Sequence, residues 1–188
     1  GKLDRQRTNQ IIRSINEATE SKGMNLLVFV FETAQCDFEE ATRLASAIGD
    51  LREKVYTAGY VESSLAGPIC LIATSCNETI LIGKATLGPD LDAPKLLSDG
   101  VTEQRVLSHI ASFSQRPLPL LLTLIDKDAQ ATIYTHQVSQ KRELFTPGQV
   151  ARQVDRDNWV PKNTVAGGAE ISQEVSLQFG LVNAVENS

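Results

Sequence analysis

Between Ser63 and Asn77 the chain carries no charged residue, and the middle of this stretch reads Pro68-Ile69-Cys70-Leu71-Ile72-Ala73-Thr74. A helix of that composition has no polar face to offer water. It must therefore lie at the centre of a fold, with other elements packed around it. Pro68 suits the first turn of such a helix, where its missing N–H costs nothing. A chain of 188 residues is long enough to build that surrounding as one domain with a single core.

The flanking sequence supplies strands and further helices in alternation. Leu26-Leu27-Val28-Phe29-Val30-Phe31 is apolar without alternation, which predicts a strand buried on both faces, as in a parallel sheet. Residues 37–51 predict a helix whose buried stripe is Phe38, Ala41, Leu44, Ala45, Ile48 and Leu51, with Asp37 and Glu40 forming a capping-box-like start. Residues 55–61 read as the next strand, and 79–82 as the strand after the apolar helix. Strand–helix–strand–helix–strand with short connections predicts parallel crossovers and an α/β fold. Ahead of them, Ile11, Ile12, Ile15 and Ala18 mark an amphipathic helix that stops at Gly23.

The second half is less regular. Residues 88–100 read as an irregular segment, 102–114 as a helix, and 120–125 as either a short helix or a buried extended segment. Residues 131–136 and 143–145 predict a hairpin around Ser139-Gln140-Lys141, and Thr146-Pro147 opens a short helix. Residues 155–170 read as loop around Trp159. Ser172 caps a last helix ending at Gly180, followed by a strand over 181–185.

Composition excludes several functions. With 23 acidic against 18 basic side chains and a net charge of −5, no basic surface for nucleic acid is expected. Three cysteines (Cys36, Cys70 and Cys76) without a C-x-x-C pair imply neither a disulfide framework nor a zinc site. Two histidines argue against a multi-histidine metal centre, and no cofactor motif occurs. No run of about 20 apolar residues is long enough to span a bilayer.

Several landmarks follow one another in a characteristic order. They are the strand ending in Glu32-Thr33, the helix segment Ala41-Thr42-Arg43-Leu44-Ala45, Tyr60-Val61 ahead of the apolar helix, Cys76-Asn77-Glu78, and Ala85-Thr86-Leu87-Gly88. The tail from Ile171 through Phe179-Gly180-Leu181-Val182-Asn183-Ala184-Val185 completes the set. Together they resemble the ClpP/crotonase superfamily, and within it the NfeD-type and signal peptide peptidase A branch of ClpP-class serine proteases, over residues 8–186. The resemblance implies a mostly parallel sheet of repeated β-β-α and βαβ units flanked by helices. It also implies a homo-oligomer or a partner protein, a peptide ligand, and a membrane-associated or extracytoplasmic setting, the 188 residues being one domain of a longer protein.

In that branch a serine is activated by a lysine whose pKa is lowered by burial, and backbone N–H groups form an oxyanion hole. The family serine position falls on Gly67, Ala66 or Leu65 according to register, and none of these carries a hydroxyl. Ser63 and Ser64 lie just upstream. The family's glycine-rich turn is matched by Ala34-Gln35-Cys36, where both glycines are replaced; Cys36, ahead of a helix, is expected to have a lowered pKa but has no histidine partner. The family lysine falls near Val101, whereas the nearest lysine is Lys95; Lys84 reads as surface. Three matched losses imply a ClpP-class domain that keeps the fold as a scaffold or interaction module. The alternatives are a Ser-Lys peptidase using Ser64 or Ser63 with Lys95 and, less favoured, a crotonase-like acyl-CoA binder.

Overall fold

The computed structural model describes residues 2–32, 35–89 and 101–187. The chain opens with a two-residue strand, β1 (Lys2–Leu3), and helix α1 (Arg5–Asn16). Asp4 caps α1 by accepting from the Arg7 N–H at 2.9 Å, satisfying a donor the first turn leaves open. A wider turn over Glu17–Ser21 extends the helix, and Gly23 with φ 63° redirects the chain.

Four strands form the central sheet in the order β11-β6-β4-β2, all parallel: β2 (Leu26–Phe31), β4 (Tyr56–Val61), β6 (Glu78–Ile82) and β11 (Ala184–Glu186). The predicted βαβαβ order holds, with α2 (Phe38–Gly49) and α3 (Ile69–Ser75) as the crossover helices. All seven residues of α3 are buried, as its uniform apolarity requires. Each of Leu71 and Ile72 stabilises the fold by about 2 kcal/mol through burial alone. Close packing of α3 on the sheet has a local cause. A Cβ at Gly59 of β4 would lie 3.3 Å from Cys76 Sγ and 3.4 Å from the Ala73 carbonyl.

Two expectations need correction here. Strand β2 is not buried on both faces: Leu26, Val28 and Val30 are exposed while Leu27, Phe29 and Phe31 pack against the core. The helices cover only one face of this strand, and apolar residues on both faces hide that asymmetry in the sequence. Asp37 does not cap α2 with its side chain; it pairs instead with Lys2 at 3.0 Å.

Short parallel pairs attach the connecting segments to this frame. Strand β3 (Gln35–Cys36) pairs with β1, and β5 (Leu65–Ala66) pairs with β7 (Leu87–Gly88). Beyond the main sheet come α4 (Val101–Ser114) and α5 (Leu118–Ile125), so residues 120–125 are helical. The predicted hairpin is present as β8 (Gln130–His136) and β9 (Arg142–Phe145). Thr146 opens the short α6 (Pro147–Val150) with a full capping box to Gln149.

The segment read as loop around Trp159 is in fact β10 (Trp159–Ala166), antiparallel to β8 across a bulge between Pro161 and Asn163. Its pattern is interrupted by Pro161, Lys162 and Asn163, and its strand character comes from the β8 ladder rather than from alternation. Ser172 caps α7 (Gln173–Gln178) by accepting from the Val175 N–H, as expected.

Candidate functional site

The segment that carries the nucleophile in the proteases this chain resembles is built between β4 and α3. The Leu65 N–H donates to the Thr86 carbonyl at 2.9 Å, and the Gly67 N–H to the Gly88 carbonyl at 2.8 Å, which holds the turn against β7. Gly67 has φ 73°, a conformation that costs an L side chain 1–2 kcal/mol, roughly, and explains why a glycine stands there. Pro68 then starts α3. Leu65 is 3% exposed and belongs to the apolar core; Ala66 is exposed and ends at a methyl group. No hydroxyl, thiol or amine is carried at any of Leu65, Ala66 and Gly67.

The two upstream serines differ. Ser63 is half-buried and Ser64 is exposed. Ser64 Oγ accepts from the Thr86 N–H at 3.1 Å and lies 2.9 Å from Thr86 Oγ1. Thr86 Oγ1 in turn donates its proton to Glu170 Oε2 at 3.0 Å. That single proton being spent on Glu170, Ser64 is the donor in its contact with Thr86. The Ser64 hydroxyl therefore meets a threonine oxygen rather than a basic nitrogen, and nothing in this chain of bonds accepts a proton at neutral pH with the ease of an amine or imidazole. The contacts joining Ser64, Thr86 and Glu170 escaped the sequence reading because Glu170 is 106 residues from Ser64 and no local pattern marks it.

At the turn matched to the oxyanion-hole glycines, Gln35 is exposed and Cys36 buried, both in the β3–β1 pair. Ala34 lies outside the described residues. The expected lowering of the Cys36 pKa is reversed: burial, then the Asp37 and Glu40 carboxylates, push the thiol up to about 12. A thiol in that state stays protonated at neutral pH and is a poor nucleophile. Lys95 also lies outside the described residues; α4 begins at Val101, and Lys84 is exposed.

A second polar cluster sits on the β8–β9 hairpin. His136 Nε2 lies 3.0 Å from Asp155 Oδ2, and its Nδ1 lies 3.0 Å from Ser139 Oγ. The Ser139 backbone N–H also donates to Nδ1 at 3.1 Å. The imidazole lone pair is thus engaged in holding the turn. The cluster is an aromatic-backed hairpin brace, with Trp159 stacked edge-on at 4.9 Å and donating to Asp155 at 3.1 Å. Among the described residues no group of three or more His, Cys, Asp or Glu side chains is arranged to hold a metal ion, and no helix is long and apolar enough to cross a membrane.

No family model matches the sequence, and no curated protein matches it. Solved structures do match its fold. The ClpP protease catalytic domain from Plasmodium falciparum superposes with a TM-score of 0.57 at 8% identity, covering 98% of this chain and 80% of that one. A mutant of the 1510-N membrane-bound stomatin-specific protease gives 0.57 at 14% identity, over 98% of this chain and 75% of that one. ThnE from S. clavuligerus gives 0.54 at 10% identity, over 100% and 71%. Likeness at these identities speaks for the fold, and it agrees with the order of landmarks along the sequence: the chain has the α/β fold of ClpP-type protease domains.

Proposed function

We propose that this chain is a single ClpP-fold domain without peptidase chemistry, acting as a scaffold or as a peptide- or protein-interaction module, alone as a homo-oligomer or with a partner protein. The observation that carries the reading is Leu65. In the Ser-x-Gly register a buried leucine occupies the nucleophile position, and Gly67 keeps the positive φ of the turn. A turn retained without its hydroxyl supports retention of the fold for packing rather than for acyl transfer. The high pKa of Cys36 and the contact of the Ser64 hydroxyl with a threonine oxygen support the same reading. The likeness to a protease named as membrane-bound makes a membrane-associated setting part of the proposal.

A fluorophosphonate probe followed by intact-mass measurement tests this directly. The expected result is an unmodified protein. A stoichiometric adduct mapped to Ser63 or Ser64 overturns the proposal in favour of a serine peptidase. Calorimetry with an acyl-CoA separates the remaining class: saturable heat would move the domain toward the crotonase-like binders.

A further inference from the structure

Strand β2 is the free edge of the parallel sheet: it pairs with β4 on one side and with no described residue on the other. The ladder fixes which groups face outward. The Tyr56 N–H donates to the Asn25 carbonyl and the Glu62 N–H to the Phe31 carbonyl, so the odd-numbered residues of this strand bond to β4. Leu26, Val28 and Val30 therefore turn their N–H and C=O groups to the open edge. Their side chains are 52%, 53% and 56% exposed. Natural edges are blunted by a charge, a proline or a bulge. Residues 26–31 contain none of these.

Helix α1 lies beside this edge and makes a groove with it. A cavity of about 350 Å³ runs between Leu3, Ile11, Val28 and Val30, with Lys2 and Arg7 at its rim, and a second of about 300 Å³ continues past Ser14 and Ile15 to Leu27. One wall is apolar side chain and the other is unpaired main chain, which is the surface an extended polypeptide complements. The cations mark one end. Lys2 belongs to β1, which pairs with β3 just after the C-terminal end of β2. Lys2 already meets Asp37, whereas the hydrogen bond of the Arg7 guanidinium goes to the Lys2 carbonyl and leaves its charge unpaired among the described residues. Helix α1 carries Arg5, Arg7 and Arg13 and no acidic residue, in a chain of net charge −5.

We infer that the β2–α1 groove binds an extended peptide segment of a partner protein, added to β2 as a parallel strand with a carboxylate at its C-terminal end against Arg7. The direction follows from the charge: a parallel strand ends where Arg7 and Lys2 stand. A second copy of this chain fits less well. Pairing two β2 edges about a twofold axis sets both α1 helices on the same side of the joint, each bringing the Arg7 charge at its groove rim toward a like-charged copy. The groove contains none of Ser63, Ser64 and Leu65, so its occupancy stands or falls separately from the loss of peptidase chemistry.

Fluorescence anisotropy with a dye-labelled peptide of alternating valine and threonine, ending in aspartate, tests the assignment. Saturable binding is expected to the unaltered protein, with loss of binding on Val28→Pro, which removes an outward N–H that the β4 ladder does not use. Arg7→Glu is expected to weaken binding by roughly threefold or more, and added salt to weaken it further. The same peptide N-methylated at alternate amides needs no change in the protein and is expected not to bind. Absence of saturable binding to the unaltered protein overturns the inference, as does equal binding of the N-methylated peptide. Sedimentation showing a peptide-free dimer abolished by Val28→Pro would assign the edge to a second copy instead.

Discussion

Arg116 Nη2 donates to Asn183 Oδ1 at 2.6 Å, and this contact ties the end of α4 to the segment leading into β11. The same guanidinium reaches the carbonyls of Thr74 at 3.2 Å and Gly180 at 3.0 Å. It is 7% exposed, and among the described residues no carboxylate pairs with it. Burial, with the nearby Arg52 charge, pulls its pKa down to about 10, so it remains charged at neutral pH. Arg116 thus neutralises the carbonyl ends of α3, where a helix gathers negative potential.

Removing that group leaves several buried acceptors without a donor. Arg116→Met is expected to destabilise the fold by about 3 kcal/mol, read as a lower urea midpoint with an unchanged slope. Asn183→Asp should act oppositely. Asn183 Oδ1 accepts from both Arg116 and the Thr79 N–H, so a carboxylate keeps both bonds and adds a countercharge. A gain of about 1 kcal/mol is expected. The new carboxyl's folded pKa would be depressed, so the gain is present above the unfolded value and lost as pH falls through the folded one. An equal or lower midpoint for Asn183→Asp at neutral pH would show that Arg116 is already fully compensated by the carbonyls.

Placing a serine at position 65 is not expected to produce peptidase activity. Leu65→Ser removes a side chain from the core, with an expected loss of about 3 kcal/mol, and places a hydroxyl where no amine or imidazole stands among the described residues. The variant should hydrolyse no unstructured protein substrate above background and take up no fluorophosphonate. Measurable turnover by Leu65→Ser would mean that a base is already in place and that a single substitution separates this domain from the active enzymes.

What could be read from sequence divides along a physical line. The α3 helix and its flanking strands were legible because burial leaves an unmistakable composition: seven consecutive residues with no polar face. The absence of a hydroxyl at Leu65, Ala66 and Gly67 was equally plain, since a missing atom needs no coordinates. The one-sided burial of β2 was not legible, because an apolar residue reads alike whether it faces a core or an uncovered face of the sheet. Strand β10 was missed because its pairing with β8 decides its conformation. The Ser64–Thr86–Glu170 chain joins three segments of the polypeptide, and no spacing encodes it.

Trp159 offers a spectroscopic handle on the hairpin, being the only tryptophan of the chain. Its indole N–H holds the Asp155 carboxyl below the ordinary carboxylate range, with His136 adding to the effect. The folded pKa is depressed, so the brace stabilises above the unfolded value and is lost as pH falls through the folded one. Tryptophan emission is therefore expected to change in acid with a midpoint below about 3.9, the ordinary value for aspartate. Asp155→Asn should remove that transition while leaving the rest of the acid titration in place. A transition unchanged by Asp155→Asn would place its origin elsewhere in the fold.

The three thiols test the core itself. Cys70 and Cys76 are fully buried and Cys36 nearly so, and burial is the chief cause that pushes each up to about 12. A thiol must ionise to react, so a disulfide reagent at about pH 8 should label none of the three in the native protein within minutes and all three in urea. The same shifts predict a pH dependence. A folded pKa raised above the unfolded value of 9.0 means that the stabilisation is complete below that pH and is lost as pH rises toward about 12. Arg116 works the other way, but only above its folded value of about 10, where the unfolded chain still binds the proton that the folded chain releases. Stability should therefore decline first between about pH 9 and 10, where the cysteines act and Arg116 does not. Replacing all three cysteines by alanine should flatten that decline in a urea-midpoint series, at a cost to stability at neutral pH from the lost packing. Rapid labelling of a native cysteine would show that its surroundings open far more often than the closed core around α3 allows.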